Sequence, residues 1–441
     1  MKEIRWEIES RCNLKCKHCF VGERLDQHSV LRLDDAVHII DKLAAKGLLK
    51  VAFTTKEPLL FDGIYKLIRY CHDVGLYTVL ITNGMILADK REAEALMNTG
   101  INDISISLEG INERSNDFIR GQGVLTRVIE AFKNIESYQP FERVTVGAQM
   151  SLNRLSAEEA PRIPWFFNQL PLDFLYIGEL SNDGNAKDYP WLRLDNKEFF
   201  EAETKLIVEY NRLPKKNYYL VPKSMLPWEA IYYNLEHGAD FPVIPADCGV
   251  LKERYSLLPN GEIVPCISLL NHKNFTPVPS VNLVDNLWER NDQFSAYIDS
   301  VGKVIKSTQA SLFCKECSFL SECNPCPNSL MDDGFAYDLD TRCRFHYRFF
   351  KDYINRVIQN GESSQFKFRK ETYIKLHKGT FIIRRIYPNG VVVKHCFTRN
   401  QTLETVINRL FNGNLDLKEL FDANASDIIE DMLRYNFITA N

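Results

Sequence analysis

The sequence predicts an α/β protein: a partial (β/α)6 barrel, then a cysteine-rich segment, then a small α+β unit of winged-helix-like order. Three observations carry this expectation. Over residues 1–180, strand-like runs alternate with helical ones, the pattern of parallel strands joined by right-handed crossovers. Ten of the 12 cysteines fall into two groups, one near the start of the chain and one after residue 247. Beyond residue 365, a strong hairpin signal precedes further helical stretches.

The elements follow in order. Residues 5–8 read as a strand, followed by a cysteine-rich loop and a helix through 35–43 that Gly47 stops. Strand 49–54 precedes helix 64–71, and strand 77–81 runs into Thr82-Asn83-Gly84 and a helix at 92–97. Strands at 104–108, 144–151 and 174–177 follow, with helices at 124–135 and 158–167 between them. That makes six βα units, fewer than the eight that close a full barrel. Residues 192–233 read as mainly helical and carry no motif, while 247–347 lack long periodic segments and point to a region held by metal.

After the polar break Asn360-Gly361-Glu362-Ser363-Ser364, strands 380–385 and 391–395 flank Pro388-Asn389-Gly390, with helical stretches at 403–411, 417–421 and 427–435. The expected domains are therefore a barrel at 1–190, a helical connection at 191–245, a metal-bound domain at 246–350 and a terminal unit at 365–441.

Composition excludes some classes. Hydrophobic residues at 45% and charged residues at 25% are ordinary globular values. A formal net charge of −4 argues against a nucleic-acid partner, and no apolar run is long enough for a bilayer. The start, Met1-Lys2-Glu3-Ile4-Arg5-Trp6-Glu7, carries acid and lacks the apolar stretch of a signal peptide, so a cytoplasmic location is expected. In that reducing compartment clustered cysteines favour metal binding or catalysis over disulfides. Cys71 and Cys396 stand apart from both groups and read as small buried hydrophobes.

The first group is Arg11-Cys12-Asn13-Leu14-Lys15-Cys16-Lys17-His18-Cys19-Phe20, a CxxxCxxC spacing directly after the first strand. Three thiolates at this spacing can hold three irons of a cubane and leave the fourth open. The alternatives are a zinc knuckle with His18 as fourth ligand, or a simple redox pair.

This spacing, followed by an aromatic in the first βα loop, resembles the signature of the radical S-adenosylmethionine (SAM) superfamily. Thr54-Thr55-Lys56-Glu57-Pro58 resembles the family's Gly-Gly-Glu-Pro segment, keeping Glu-Pro but not the glycines. Thr82-Asn83-Gly84, Ser105-Ile106-Ser107-Leu108-Glu109-Gly110 and Asn116-Asp117-Phe118-Ile119-Arg120-Gly121 resemble further family stretches, in the right order at successive strand ends. The resemblance implies a [4Fe–4S] cluster on Cys12, Cys16 and Cys19, with SAM chelating the open iron. One electron then splits the sulfonium and yields a 5′-deoxyadenosyl radical that abstracts hydrogen from substrate. It implies that Glu57 accepts from the SAM amino group, that Ser107 and Arg120 hold its carboxylate, and that Phe20 packs near the adenine. Thr82, Asn83 and Glu109 complete the expected cofactor-binding set. The electron would come from a donor such as flavodoxin or ferredoxin.

The second group comprises Cys248, Gly261-Glu262-Ile263-Val264-Pro265-Cys266, Cys314-Lys315-Glu316-Cys317, Cys323-Asn324-Pro325-Cys326 and Cys343. Its order resembles the SPASM domain of peptide-modifying radical SAM enzymes, with Cys323 and Cys326 closer than the usual CxxxC. The resemblance implies two auxiliary iron–sulfur clusters, one on Cys314, Cys317, Cys323 and Cys343, the other on Cys248, Cys266 and Cys326 with a vacant iron or a non-cysteine ligand. A pair of zinc-ribbon-like staples is the bland alternative. Relatives that oxidise sulfatases carry an acid directly after the cysteine matching Cys266, where this chain has Ile267. The terminal unit loosely resembles peptide-recognition elements that add a leader peptide as a strand, with Lys367, Arg369, Lys370, Lys375 and Lys378 as a basic run.

The leading expectation is therefore a maturase of a ribosomally made precursor peptide, forming a thioether or carbon–carbon crosslink. A protein-oxidising or epimerising relative is the enzyme alternative. A non-catalytic, metal-stapled binding protein is the alternative outside enzymes.

Overall fold

The computed structural model describes residues 1–26, 29–138, 143–223, 225–270, 275, 277–286, 291–310, 312–326, 339–356, 365–411, 415–416 and 423–440. The chain divides into two compact units, one of residues 1–224, 247–310 and 324–337, the other of 225–246, 311–323 and 338–441.

The first unit is built on one sheet. Strands β1 (Glu3–Trp6), β2 (Lys50–Phe53), β3 (Tyr77–Thr82), β4 (Asp103–Ser107), β5 (Thr145–Leu152) and β6 (Phe174–Glu179) lie side by side in chain order, all parallel. These are the six strands expected from the sequence. The parallel run extends beyond them. Strand β7 (Tyr219–Pro222) joins β6 in parallel, and β8 (Arg254–Leu257) joins the far side of β1. Neither was assigned from the sequence, because each is only four residues long and lacks a periodic run. Strands β9 (Glu262–Val264) and β10 (Val281–Asn282) continue antiparallel. The order ends at β10 on one side and β7 on the other, so the barrel is open.

Helices cover the outer face. Helix Ile64–Asp73 is typical: Ile64, Leu67, Ile68 and Cys71 form a buried stripe at helical spacing, and Gly63 at φ 89° opens it. Burying each such aliphatic side chain contributes about 1.5–3 kcal/mol. On β1 the alternation sorts residues between faces. Ile4, Trp6 and Ile8 are fully buried, and Trp6 stacks on Phe53 of β2 at 5.9 Å. Arg5 and Glu7 have the opposite parity and line an interior cavity.

Three elements differ from the sequence reading. The single helix expected at 158–167 is two short ones, Arg154–Ala157 and Ile163–Phe167, because Pro161 interrupts the ladder between them. Helices Asp292–Thr308 and Leu339–Ile354 lie where no long periodic segment was expected. The helical stretch expected at 417–421 and the polar break at 360–364 lie outside the described residues.

In the second unit, helix Pro227–Glu236 packs on helix Leu339–Ile354. Trp228, 1% exposed, sits against Phe319, Tyr347 and Phe350 at 5.2, 4.8 and 5.6 Å between rings. Strands β12 (Thr372–His377), β13 (Thr380–Ile386) and β14 (Val392–Thr398) form an antiparallel sheet that contains the expected hairpin. Strands β11 (Gln365–Phe368), β15 (Leu415–Asp416) and β16 (Ile438–Ala440) form a second, and helices Gln401–Phe411 and Ala423–Arg434 belong to the same unit. Cys71 is buried as expected, but Cys396 is exposed. On β14 the period of two turns Val393 and Phe397 inward, and Cys396 takes the outer face. Arg369 of the basic run is also turned inward, donating to the Ala239 carbonyl at 3.3 Å and pairing with Asp240 at 3.4 Å.

Candidate active site

The loop after β1 carries Cys12, Cys16 and Cys19, all free thiols, to the C-terminal ends of the parallel strands. Backbone contacts from neighbouring segments fix it there. The Asn185 backbone N–H donates to the Cys19 carbonyl at 2.9 Å, and its side-chain amide donates to the Cys16 carbonyl at 3.0 Å. Gly184, at φ 59°, permits that approach, since a Cβ there would stand 2.3 Å from the Cys19 oxygen. The Lys17 N–H donates to Ile119 O at 2.9 Å. Phe20 is half-buried and packs against the apolar cluster of Val21, Leu25, Leu258, Val264 and Ile267.

Burial raises the Cys12 thiol and pushes Cys16 up to about 11, the latter opposed by the Arg120 cation. Cys19 raises both further, and Cys12 adds to Cys16, so these sulfurs stand close enough for their charges to interact. Leu14 N–H and the Asn83 side-chain amide lie 3.5 and 3.8 Å from the Cys12 sulfur.

Glu57, fully buried, ties the ends of β2 and β3 together. Its carboxylate accepts from Leu59 N at 3.0 Å, Thr82 Oγ1 at 2.8 Å and Asn83 N at 2.8 Å. Burial still raises its pKa, against the pull of those three donors. Asn83 in turn donates to Asn13 Oδ1 at 2.6 Å and accepts from Met85 N at 2.9 Å. Gly84, at φ 78°, has no room for a side chain, because a Cβ would lie 2.7 Å from Ile106. Thr55 and Lys56 stand where the family pattern has glycines, yet both adopt left-handed backbone, φ 67° and 48°. The glycine conformation is thus kept by residues that pay about 1–3 kcal/mol each in strain. The Lys56 ammonium offsets this by donating to the Gly22 carbonyl at 2.6 Å and pairing with Asp26.

The third group centres on Glu109. One oxygen takes both Arg120 Nη1 at 3.0 Å and His18 Nε2 at 2.9 Å, and the other accepts from Ser151 N at 2.8 Å. Burial would raise this carboxyl, but His18 first and then Arg120 hold it below its ordinary value. Arg120 Nε is buried without a hydrogen-bond partner among the described residues.

These groups border one cavity of about 810 Å³ within the first unit. Cys12, Cys16, Cys19, Phe20, Thr82, Asn83, Ser107, Glu109 and Arg120 line it, and so does Cys266 of the second cysteine group. Glu57 sits behind the wall, fully buried. Sequence reasoning missed Gly184 and Asn185, which hold the cysteine loop; the Asp183-Gly184-Asn185 turn was their only signal. It also missed the His18–Glu109 pair and the interior-facing Arg5, Glu7 and Lys223.

Of the later cysteines, Cys248, Cys266 and Cys326 belong to the first unit and Cys314, Cys317, Cys323 and Cys343 to the second. In the first unit, burial pushes Cys248 up to about 12 and raises Cys266, and Cys326 adds to both. In the second, burial raises Cys343 strongly, then Glu229, Cys317, Cys323 and Cys314 raise it further. Trp228 Nε1 donates to Cys317 Sγ at 3.3 Å, and Glu229 forms a buried bidentate pair with Arg342 at 2.5 and 2.8 Å. Among the described residues no three His, Cys, Asp or Glu side chains converge on a single-ion site. Ligands of one zinc crowd about 2.3 Å from a common centre, whereas each thiolate of a cubane binds its own iron.

Residues 6–148 match the radical SAM superfamily. The chain is 27% identical over 161 residues to an Fe-coproporphyrin III synthase of Methanosarcina barkeri, covering 36% of this chain and only 39% of that protein. It is 26% identical over 301 residues to a PqqA peptide cyclase of Bradyrhizobium diazoefficiens, covering 66% of this chain and 73% of that one. Its fold resembles Streptococcus suis SuiB bound to its precursor peptide SuiA, with a TM-score of 0.58 at 18% identity over 78% of this chain and 75% of that one.

Proposed function

From the match of residues 6–148 to the radical SAM superfamily we propose that this chain is a radical SAM enzyme that matures a precursor peptide by forming a thioether or carbon–carbon crosslink. One observation carries the proposal. The three free cysteines of the β1 loop, Arg120 with its unpartnered Nε, and Cys266 of the second cysteine group all line one cavity.

These residues fit a SAM-binding [4Fe–4S] cluster. Cys12, Cys16 and Cys19 would supply its three protein ligands, and Arg120 and Ser107 would hold the SAM carboxylate, the arginine using the donor now left bare. When bound, the cluster and SAM supply reductive cleavage of a carbon–sulfur bond and a carbon radical able to abstract hydrogen. The protein's part is placement. Asn185 and Gly184 set the cysteine loop, and Glu109 fixes the Arg120 guanidinium and orients His18. Glu57 aligns Thr82 and Asn83 from behind the wall, which makes positioning its main task; its fourth lone-pair site remains for a cofactor amine. The buried strand ends keep bulk water from the reacting centre.

The peptide reading is supported by the likeness to the PqqA peptide cyclase and by the fold shared with a precursor-bound enzyme. Cys266 at the cavity wall favours a substrate that reaches the Cys248, Cys266 and Cys326 cluster while it is modified. An open iron there would take a substrate thiolate, as thioether formation requires. Mössbauer spectra of that site with and without peptide test this, and an unchanged spectrum removes it. The β12–β14 sheet, with exposed Lys375 and Lys378 at its β12 edge, is our choice for leader binding. Reversing both charges should weaken binding of an acidic leader while SAM cleavage continues; unchanged affinity excludes it.

Mass spectrometry of a precursor peptide co-expressed with the enzyme tests the function as a whole. A loss of two hydrogens in wild type, absent with Cys16→Ala, is the expected result. An unmodified peptide despite active SAM cleavage would remove the maturase reading.

A further inference from the structure

The cavity wall formed by β1 and the residue after β7 carries charges that the SAM-binding residues do not use. Arg5, on the inner face of β1, is exposed to the cavity and makes no hydrogen bond or ion pair among the described residues. Lys223, directly after β7, also faces the cavity; its ammonium donates to the neutral Gln149 amide at 2.7 Å and lies 5.0 Å from the Tyr176 ring. Among the described residues no carboxylate pairs with either cation. Glu109 is committed to His18 and Arg120, and Asp103, whose charge reaches Lys223, makes no ion pair with it. Confinement by the cavity walls first, and then the Arg5 charge, pull the Lys223 pKa down to about 8.

Glu7, two residues from Arg5 on the same strand face, is no counterion. It is 1% exposed, and its Oε2 is buried with no partner among the described residues. Burial raises its pKa well above the ordinary value, against the opposing charges of Arg5 and Arg24. An arginine and a lysine without carboxylate partners among the described residues thus offer hydrogen-bond donors and positive charge to one cavity wall. The ligand that matches is an anion with acceptors only.

We propose that Arg5 and Lys223 form a substrate subsite that binds a peptide carboxylate, so that the segment modified in this cavity carries an acidic side chain or a free C-terminus. The inference deepens the peptide reading and rests on it. Substrate specificity follows. An amide in place of the carboxylate leaves two cations without a counterion and loses affinity, as sites built for one polar partner reject its analogue.

Acylation of Lys223 by an amine-reactive acetyl ester, followed by peptide mass spectrometry of the intact protein's digest, tests the subsite without cluster, SAM or reductant. Three probes compete: acetyl-Glu-amide with a side-chain carboxylate, acetyl-Ala with a terminal one, and acetyl-Gln-amide with neither. At a carboxylate concentration about tenfold above its dissociation constant, acylation should slow roughly tenfold. Acetyl-Gln-amide should leave it unchanged, and whichever carboxylate protects at the lower concentration identifies the source. The ratio of protected to unprotected rates should rise from about one tenth to one in Arg5→Gln and stay near one tenth in Glu7→Gln. Equal protection by the amide probe, or none by either carboxylate in the wild-type protein, overturns the proposal. Failure of SAM cleavage would sink the radical reading without touching this result, and the reverse also holds.

Discussion

The two sulfur-rich regions of this protein differ in what surrounds them. The N-terminal trio sits on a loop held by backbone contacts from Asn185 and Ile119, with its thiols facing a cavity that also holds Arg120 and Glu109. The quartet of Cys314, Cys317, Cys323 and Cys343 sits beside Trp228 and its aromatic neighbours, with a tryptophan N–H on one sulfur and a buried ion pair alongside. Three thiols on a cavity leave room for a co-substrate; four thiols in an aromatic setting complete a ligand set. On the proposed reading, the first is built to react and the second to hold a fold and a cluster together.

The largest expected effect separates these roles. Cys12→Ala, Cys16→Ala or Cys19→Ala should each reduce 5′-deoxyadenosine release to background, measured by chromatography under anaerobic reduction. Cys343→Ala should keep release within roughly tenfold of wild type, about 1.4 kcal/mol in barrier height, while lowering iron content and thermal stability. A folded Cys343→Ala protein that cleaves no SAM would erase the distinction.

Next is the ion pair beside the quartet. Glu229→Ala removes the buried carboxylate that pairs with Arg342, and denaturant unfolding should show a loss of about 3–5 kcal/mol. A loss below about 1 kcal/mol, the value of an exposed pair, would mean that the region is far more open than its burial indicates.

The trio's own network predicts a pH signature. Glu109 has a folded-state pKa below its ordinary 4.5. On acidification the unfolded chain therefore takes up that proton first, and the contribution is complete above about pH 4.5 and drains away as pH falls further. The Glu109→Gln protein should lose less stability than wild type between neutral pH and pH 3.5. Parallel stability curves would show that His18 and Arg120 do not hold the carboxylate as described.

The smallest effect concerns the departure from the family's glycines. Thr55→Gly should relieve the left-handed strain and stabilise the protein by about 1 kcal/mol, net of the entropy glycine adds to the unfolded chain. Destabilisation would show that the threonine side chain has a task in the loop.

Much of this arrangement was legible in the sequence, for identifiable reasons. Strands β1–β6 announce themselves by apolar runs between helical stretches, and the CxxxCxxC spacing marks the loop after β1 because close sulfur ligands must be near in sequence. The grouping of the later cysteines was inferred only through resemblance; spacing alone left their pairing open. Strands β7 and β8 were invisible because strands of four residues take their definition from the strands they pair with. Arg5, Glu7 and Lys223 gave no signal either. Nothing local marks a charge that faces inward, and only the closing of β1 and β7 around a common space gives these residues a shared role.

The account's central claim, that the β1-loop trio holds a cluster that cleaves SAM, is tested most directly by anaerobic reconstitution with iron and sulfide followed by addition of SAM and dithionite. The account predicts 5′-deoxyadenosine in amounts that scale with bound cluster and vanish in Cys16→Ala. A protein that carries the cluster on its trio, verified by Mössbauer spectroscopy, and yet releases no 5′-deoxyadenosine would contradict it.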